Sequence, residues 1–133
     1  EDPSLLEAIS RTKDLEQKFY SGLLKSNCRV TSQPDWGDVF IYIKSKNAID
    51  AHSIKNYIIS FRDECLFHEE ICECIYKRLK DAFEPSELLV MCLYARRGGI
   101  DINPVRASDI NLINLLADNL IDSKAIHIKT SKQ

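Results

Sequence analysis

The sequence predicts an α+β domain, an antiparallel sheet with two helices grouped between its strands. Three observations carry this expectation. The run Val39-Phe40-Ile41-Tyr42-Ile43-Lys44 is rich in β-branched and aromatic residues, as strands are. Two stretches with apolar residues at helical spacing follow it with no strand between them. Leu88 to Tyr94 is then an uninterrupted apolar run of strand length. Helices placed together between strand pairs imply antiparallel layering, because parallel sheets alternate strand and helix along the chain.

Taken in order, residues from about Ser4 to Leu24 read as a partly helical lead-in, with Pro3 near its start; within it Lys18 to Lys25 also fits a strand. Lys25 to Gly37 is polar and ends in the turn-like run Gln33-Pro34-Asp35-Trp36-Gly37. Asp50 is placed to cap a first helix whose apolar positions are Ile54, Tyr57, Ile58 and Phe61. A break at Asp63 to Leu66 leads to a second helix. Its buried stripe is predicted as Cys72, Ile75, Leu79 and Ala82 or Phe83, with Pro85 just beyond. Gly98-Gly99 supplies a turn, and Ile100 to Val105 returns as a further strand, which Pro104 marks as an edge or an end. Beyond Asp109, Leu112, Ile113, Leu115, Leu116 and Leu120 fit a helix, and Ile126 with Ile128 a short strand.

A chain of 133 residues is of one-domain size, and 44% hydrophobic with 29% charged residues is an ordinary globular composition. A net charge of -2 offers no basic field for nucleic acid or an anionic membrane, though a small nucleobase ligand needs none. No apolar run approaches the ~18 residues of a membrane span, and no signal-peptide pattern is present, so the expected location is the cytoplasm. Five cysteines, an odd number, fit reduced thiols better than a disulfide framework. Cys72 and Cys74, near His68, raise the question of a metal. Helix residues two apart diverge by about 200°, so the pair cannot close one tetrahedral site, and no metal is expected.

Chemistry is concentrated in three segments. Cys28 lies among polar residues beside Lys25 and Arg29, cations expected to stabilise a thiolate. Asp35 follows across a proline-containing turn that can return its carboxylate towards the thiol, where it would shuttle protons. An inert loop cysteine and a turn-forming aspartate explain these two residues equally well on physics alone. In Phe67-His68-Glu69-Glu70, the helix dipole suffices to favour the acids, and His68 is either a proton donor or a surface residue. An acid there would also suit a guanine-like edge. Arg96-Arg97-Gly98-Gly99 fits either a phosphate-bearing ligand or a charged hairpin tip. There is no Gly-x-Gly-x-x-Gly run, so a nicotinamide cofactor would not bind in the dinucleotide-fold manner.

Together, Leu24-Lys25-Ser26-Asn27-Cys28 through Gln33-Pro34-Asp35-Trp36-Gly37, then Ser60-Phe61-Arg62, Phe67-His68-Glu69, and Arg96-Arg97-Gly98-Gly99 with Asp101-Ile102-Asn103-Pro104, resemble the ordered motifs of the 7-cyano-7-deazaguanine reductases, the QueF family. The resemblance covers about Leu23 to Arg106. It implies a tunnelling fold, a four-stranded antiparallel sheet with two helices packed on one face. It also implies reduction of a nitrile to an aminomethyl group with two NADPH, a step in queuosine synthesis for tRNA. On that reading the Cys28 thiolate adds to the nitrile carbon to give a thioimide, and Asp35 delivers the proton. His68 matches the histidine tied to substrate and proton transfer, Glu69 the glutamate that holds the pyrimidine edge, and Arg97 and Gly98 positions linked to NADPH.

The departures are informative too. The family's cofactor-associated motif, Glu-Ser-Lys-Ser-x-Lys-x-Tyr, is matched here by Asp50-Ala51-His52-Ser53-Ile54-Lys55-Asn56-Tyr57; Ser53, Lys55 and Tyr57 fit, whereas Asp50 and His52 differ. The cysteine segment resembles the second domain of the family's long, two-domain type. The expected layout is therefore a linker or lead-in over 1–22, from an absent N-terminal domain, a catalytic domain over 23–108 and an extension over 109–133. A homo-oligomer is expected, with a small deazaguanine as ligand. Two other readings compete: a non-catalytic binding or assembly module of the same fold, and a tRNA amidinotransferase acting on the same nitrile.

Overall fold

The computed structural model describes residues 1–94 and 102–114. After a 3-10 turn at Pro3–Leu5, the elements are β1 (Ala8–Asn27), β2 (Pro34–Ile49), α1 (Ala51–Ile59), α2 (His68–Phe83), β3 (Glu87–Tyr94), β4 (Val105–Ala107) and a one-turn α3 (Ile110–Leu112). The strands form one sheet in the order β1-β2-β3-β4, each pair antiparallel. This is the α+β architecture the sequence predicts, with both long helices inserted between β2 and β3.

The period-2 alternation of strands divides β2 and β3 between two layers. Val39, Ile41, Ile43, Leu88, Val90, Cys92 and Tyr94 pack against the helices, joined by Tyr57, Phe61, Ile75 and Leu79. Phe40, Tyr42, Leu89, Met91 and Leu93 face the other way and are covered in part by Leu112 and Ile113. A strand buried on both faces reads as a continuous apolar run, which is why Leu88 to Tyr94 shows no alternation. Each large side chain removed from water in this way contributes roughly 1.5–3 kcal/mol.

Asp50 caps α1, its carboxylate accepting from the His52 amide at 3.0 Å. The acids Glu69 and Glu70 open α2, and Glu84, in the left-handed region at φ 45°, closes it just before Pro85. Of the two candidates for the last position of the α2 stripe, Phe83 is buried and Ala82 is exposed.

Two expectations are corrected. The residues read as a partly helical lead-in belong mostly to β1, a 20-residue strand that begins well upstream of Lys18. Its first nine residues are exposed, so they carry no apolar period; their strand state comes from backbone pairing with β2, from Ala8↔Ile49 onward. Of the return strand placed at Ile100 to Val105, residues 102–104 are not strand and β4 opens at Val105, while Ile100 and Asp101 lie outside the described residues. Pro104 has no amide to donate, and its carbonyl accepts from the Cys92 amide at 3.0 Å, so the ladder begins one residue later. The Gly98-Gly99 turn and everything expected from Leu115 on lie outside the described residues.

Candidate active site

The sequence places Cys28 at the closing end of the β1–β2 hairpin, whose ladder ends at Asn27↔Pro34. The connecting residues form a tight turn. The Cys28 amide donates to the Gln33 carbonyl at 2.8 Å, and the Ser32 amide donates to the Cys28 carbonyl at 2.8 Å. Ser32 takes φ 60° to close it. The hairpin end is docked on the α1–α2 connection through the Asn27 amide, which donates to the Glu64 carbonyl at 2.8 Å, and a parallel bridge from Asn27 to Cys65.

Cys28 is partly exposed, and its thiol is held below the ordinary value. The largest cause is a hydrogen bond from the Thr31 hydroxyl, followed by the Thr31 and Val30 amides; burial and the negative charge of Asp35 oppose it. The sulfur sits where an N-cap oxygen sits, in front of the free amides two and three residues on. Cys74 is pushed up by burial, and Cys92 by the hydrogen bond its thiol donates to Cys72 and by burial. The thiolate is the nucleophilic form, so these environments single out Cys28 from both.

The expected role of the neighbouring cations is corrected. Lys25 Nζ donates to Asn27 Oδ1 at 3.3 Å and to the Arg62 carbonyl at 3.1 Å. Arg29 pairs with Glu70 at 3.2 Å and lies over the Phe67 ring, 5.2 Å from its centre. Both charges are engaged in docking the loop, and the turn's own hydroxyl and amides stabilise the sulfur instead. Thr31→Val is therefore expected to raise the Cys28 pKa, so that the pH profile of its alkylation by iodoacetamide moves to higher pH. A profile unmoved from wild type would show that the hydroxyl does not matter.

Asp35, on β2 opposite Ser26, is 4% exposed. Its Oδ2 lies 3.3 Å from Nε2 of His68, the first residue of α2. The His68 ring stacks on Tyr94 with centroids 3.7 Å apart and planes 6° from parallel. Glu69 is exposed on the next position of α2, close enough for its charge to help push the Tyr94 phenol up, after burial and the charges of Cys92, Cys72 and Asp35. The fold thus brings Cys28, Asp35, His68 and Glu69 to one end of the sheet, from three separate elements. Arg97 and Gly98 lie outside the described residues.

Sequence reasoning missed Thr31 and Tyr94. Thr31 stands three residues after Cys28, a capping interval that was legible. Tyr94 was indistinguishable from core filling at the end of an apolar strand.

A tunnelling-fold domain with a stabilised thiol beside a buried carboxylate and an imidazole is equipped for covalent capture of an electrophilic carbon. The chain belongs to the QueF family: the family described as "QueF-like protein" matches residues 34–111. An NADPH-dependent 7-cyano-7-deazaguanine reductase of Psychrobacter cryohalolentis is 50% identical over 116 residues, covering 84% of this chain and 41% of the relative. The reductase of the same name from Acinetobacter baumannii strain SDF is 46% identical over 109 residues, covering 82% of this chain and 40% of its own length. The chain thus spans about two fifths of the curated relatives it matches. The crystal structure of the archaeosine synthase QueF-Like in its apo form superposes with a TM-score of 0.62, covering 74% of this chain and 96% of that one. At 19% identity it bears on the fold alone.

Proposed function

We propose that this chain is the nucleophile-bearing part of a reductase that converts 7-cyano-7-deazaguanine to its aminomethyl form in queuosine synthesis, using two NADPH. The observation that carries the reading is the Cys28 thiol, held low by Thr31 and the turn amides and close enough to the Asp35–His68 pair to feel the aspartate's charge. Nitriles accept hydride poorly, and covalent capture gives a C=N bond that is reduced more readily.

In this mechanism the Cys28 sulfur bonds to the nitrile carbon, and one π bond of the C≡N group breaks. The proton that leaves the thiol is taken up by the Asp35–His68 pair and delivered to the nitrile nitrogen, giving a neutral thioimide. His68 also borders the substrate, and the exposed Glu69 carboxylate accepts hydrogen bonds from the donors of the pyrimidine edge. Such groups act only when held within hydrogen-bond reach of the proton they move.

NADPH supplies hydride when bound to the whole protein. Three residues of the motif at α1 are taken up by the fold of this chain, whereas His52 and Lys55 are exposed. Asp50 is engaged as the helix cap, Ser53 bonds the Glu7 and Asp50 carbonyls at 3.2 and 2.7 Å, and Tyr57 is fully buried. The resemblance leaves Arg97 and Gly98 as the positions for it, together with an N-terminal domain of the kind the longer relatives have room for. On the same reading residues 23–108 are the catalytic unit, residues 109–133 an appended segment, and the working enzyme a homo-oligomer.

Intact-mass spectrometry after incubation with the nitrile base, without NADPH, tests the proposal. The expected result is a mass increase of one ligand on the native chain. Tight binding by calorimetry with no covalent increase would overturn it in favour of a non-catalytic module.

A further inference from the structure

His68 has one anchored nitrogen, Nε2 on Asp35, while its Nδ1 is buried with no hydrogen-bond partner among the described residues. One hydrogen bond leaves a ring free to tilt about it. The stack on Tyr94, nearly coplanar at 3.7 Å, removes that freedom. Tyr94 is in turn fixed from beneath. It pairs with Gly37 across β2 and β3, and a Cβ at Gly37 would stand 3.2 Å from Tyr94 Cδ1, 3.3 Å from Cε1 and 3.1 Å from the Leu93 carbonyl oxygen. The tyrosine ring therefore lies on bare backbone, in space that any other residue at 37 would fill. The phenol hydroxyl has no partner among the described residues. The ring face, and not the hydroxyl, is the part in use.

We infer that Gly37 and Tyr94 are positioning residues. The glycine gives the tyrosine ring a flat bed, and the ring sets the plane of His68 so that its Nε2 meets Asp35. The inference rests on the nitrile-capture reading and adds the device that orients its proton-handling pair. A small misplacement of a reacting group costs on the order of 100-fold in rate.

The test compares Tyr94→Leu, Gly37→Ala and Tyr94→Phe in the full chain, with near-ultraviolet circular dichroism as the check on folding. In Tyr94→Leu, the rate of thioimide formation at saturating nitrile is expected to fall roughly 10- to 100-fold, with little change in the half-saturating concentration. Gly37→Ala is expected to do the same by lifting the ring, while Tyr94→Phe restores near wild-type capture. Two readouts separate positioning from general damage. The ring-current shift of the His68 Cε1 proton is expected to persist in Tyr94→Phe and vanish in Tyr94→Leu, and iodoacetamide alkylation of Cys28, which needs no histidine, is expected to be unchanged throughout. If Tyr94→Leu folds poorly, Gly37→Ala carries the comparison. Wild-type capture rates in folded Tyr94→Leu or Gly37→Ala would overturn the positioning role alone. Absence of capture by the wild type would overturn the functional reading and this role with it.

Discussion

Cys28→Ala is expected to abolish the nitrile adduct completely, whereas any change to a proton-handling residue leaves a slow residual reaction. The chain holds five free cysteines, and Cys65 is more exposed than Cys28. If exposure governed capture, Cys65 would compete. If thiolate stabilisation governs it, the adduct forms at Cys28, whose thiol is held low by Thr31 and its turn amides. Peptide mapping of the wild-type adduct should place the whole mass increase on Cys28, and intact-mass analysis of Cys28→Ala should show none. An adduct of equal yield in Cys28→Ala would refute the assignment.

Asp35→Asn is expected to move two readouts of the same sulfur in opposite directions. The aspartate's charge raises the Cys28 pKa, so its removal stabilises the thiolate and shifts the alkylation profile to lower pH. The sign follows from the charge alone: a thiolate beside a carboxylate is repelled, and beside a neutral amide it is not. Nitrile capture, by contrast, needs a proton on the nitrogen as the sulfur bonds to the carbon. An amide cannot deliver one, and loss of a positioned acid costs about 10²- to 10⁴-fold. Stopped-flow measurement of thioimide formation alongside iodoacetamide kinetics would show easier alkylation with slower capture. If both rates rose or both fell together, Asp35 would be acting only through the thiol's pKa.

Much of the fold was legible because burial writes a period into the chain. Ile54, Tyr57 and Ile58 recur at helical spacing because one side of α1 is buried; Phe61, expected on the same helix, lies in the turn just past its end and is buried with them. The exposed half of β1 writes no such period, which is why it read as a lead-in. At the site, the grouping of Cys28, Asp35, His68 and Glu69 was visible only through resemblance to a family, since no spacing rule joins residues 28 and 68. What stabilises the thiol was misassigned for a plain reason. Sequence proximity of Lys25 and Arg29 says nothing of where long flexible side chains go, and both reach across to the α1–α2 connection or the start of α2. The Gly37–Tyr94–His68 stack joins three elements, so no local reading of the sequence could contain it.

The hairpin end that carries Cys28 is shaped by peptide groups: its turn closes through the main chain of Cys28, Ser32 and Gln33, and it docks through the amide of Asn27. Main-chain groups are the same whatever side chains accompany them. The location of the sulfur is therefore insulated from drift at the exposed Val30 side chain, while its reactivity leans most on one hydroxyl at Thr31. Where the nucleophile stands and how readily it reacts are separable properties of this loop, so reactivity can be tuned up or down without moving the atom.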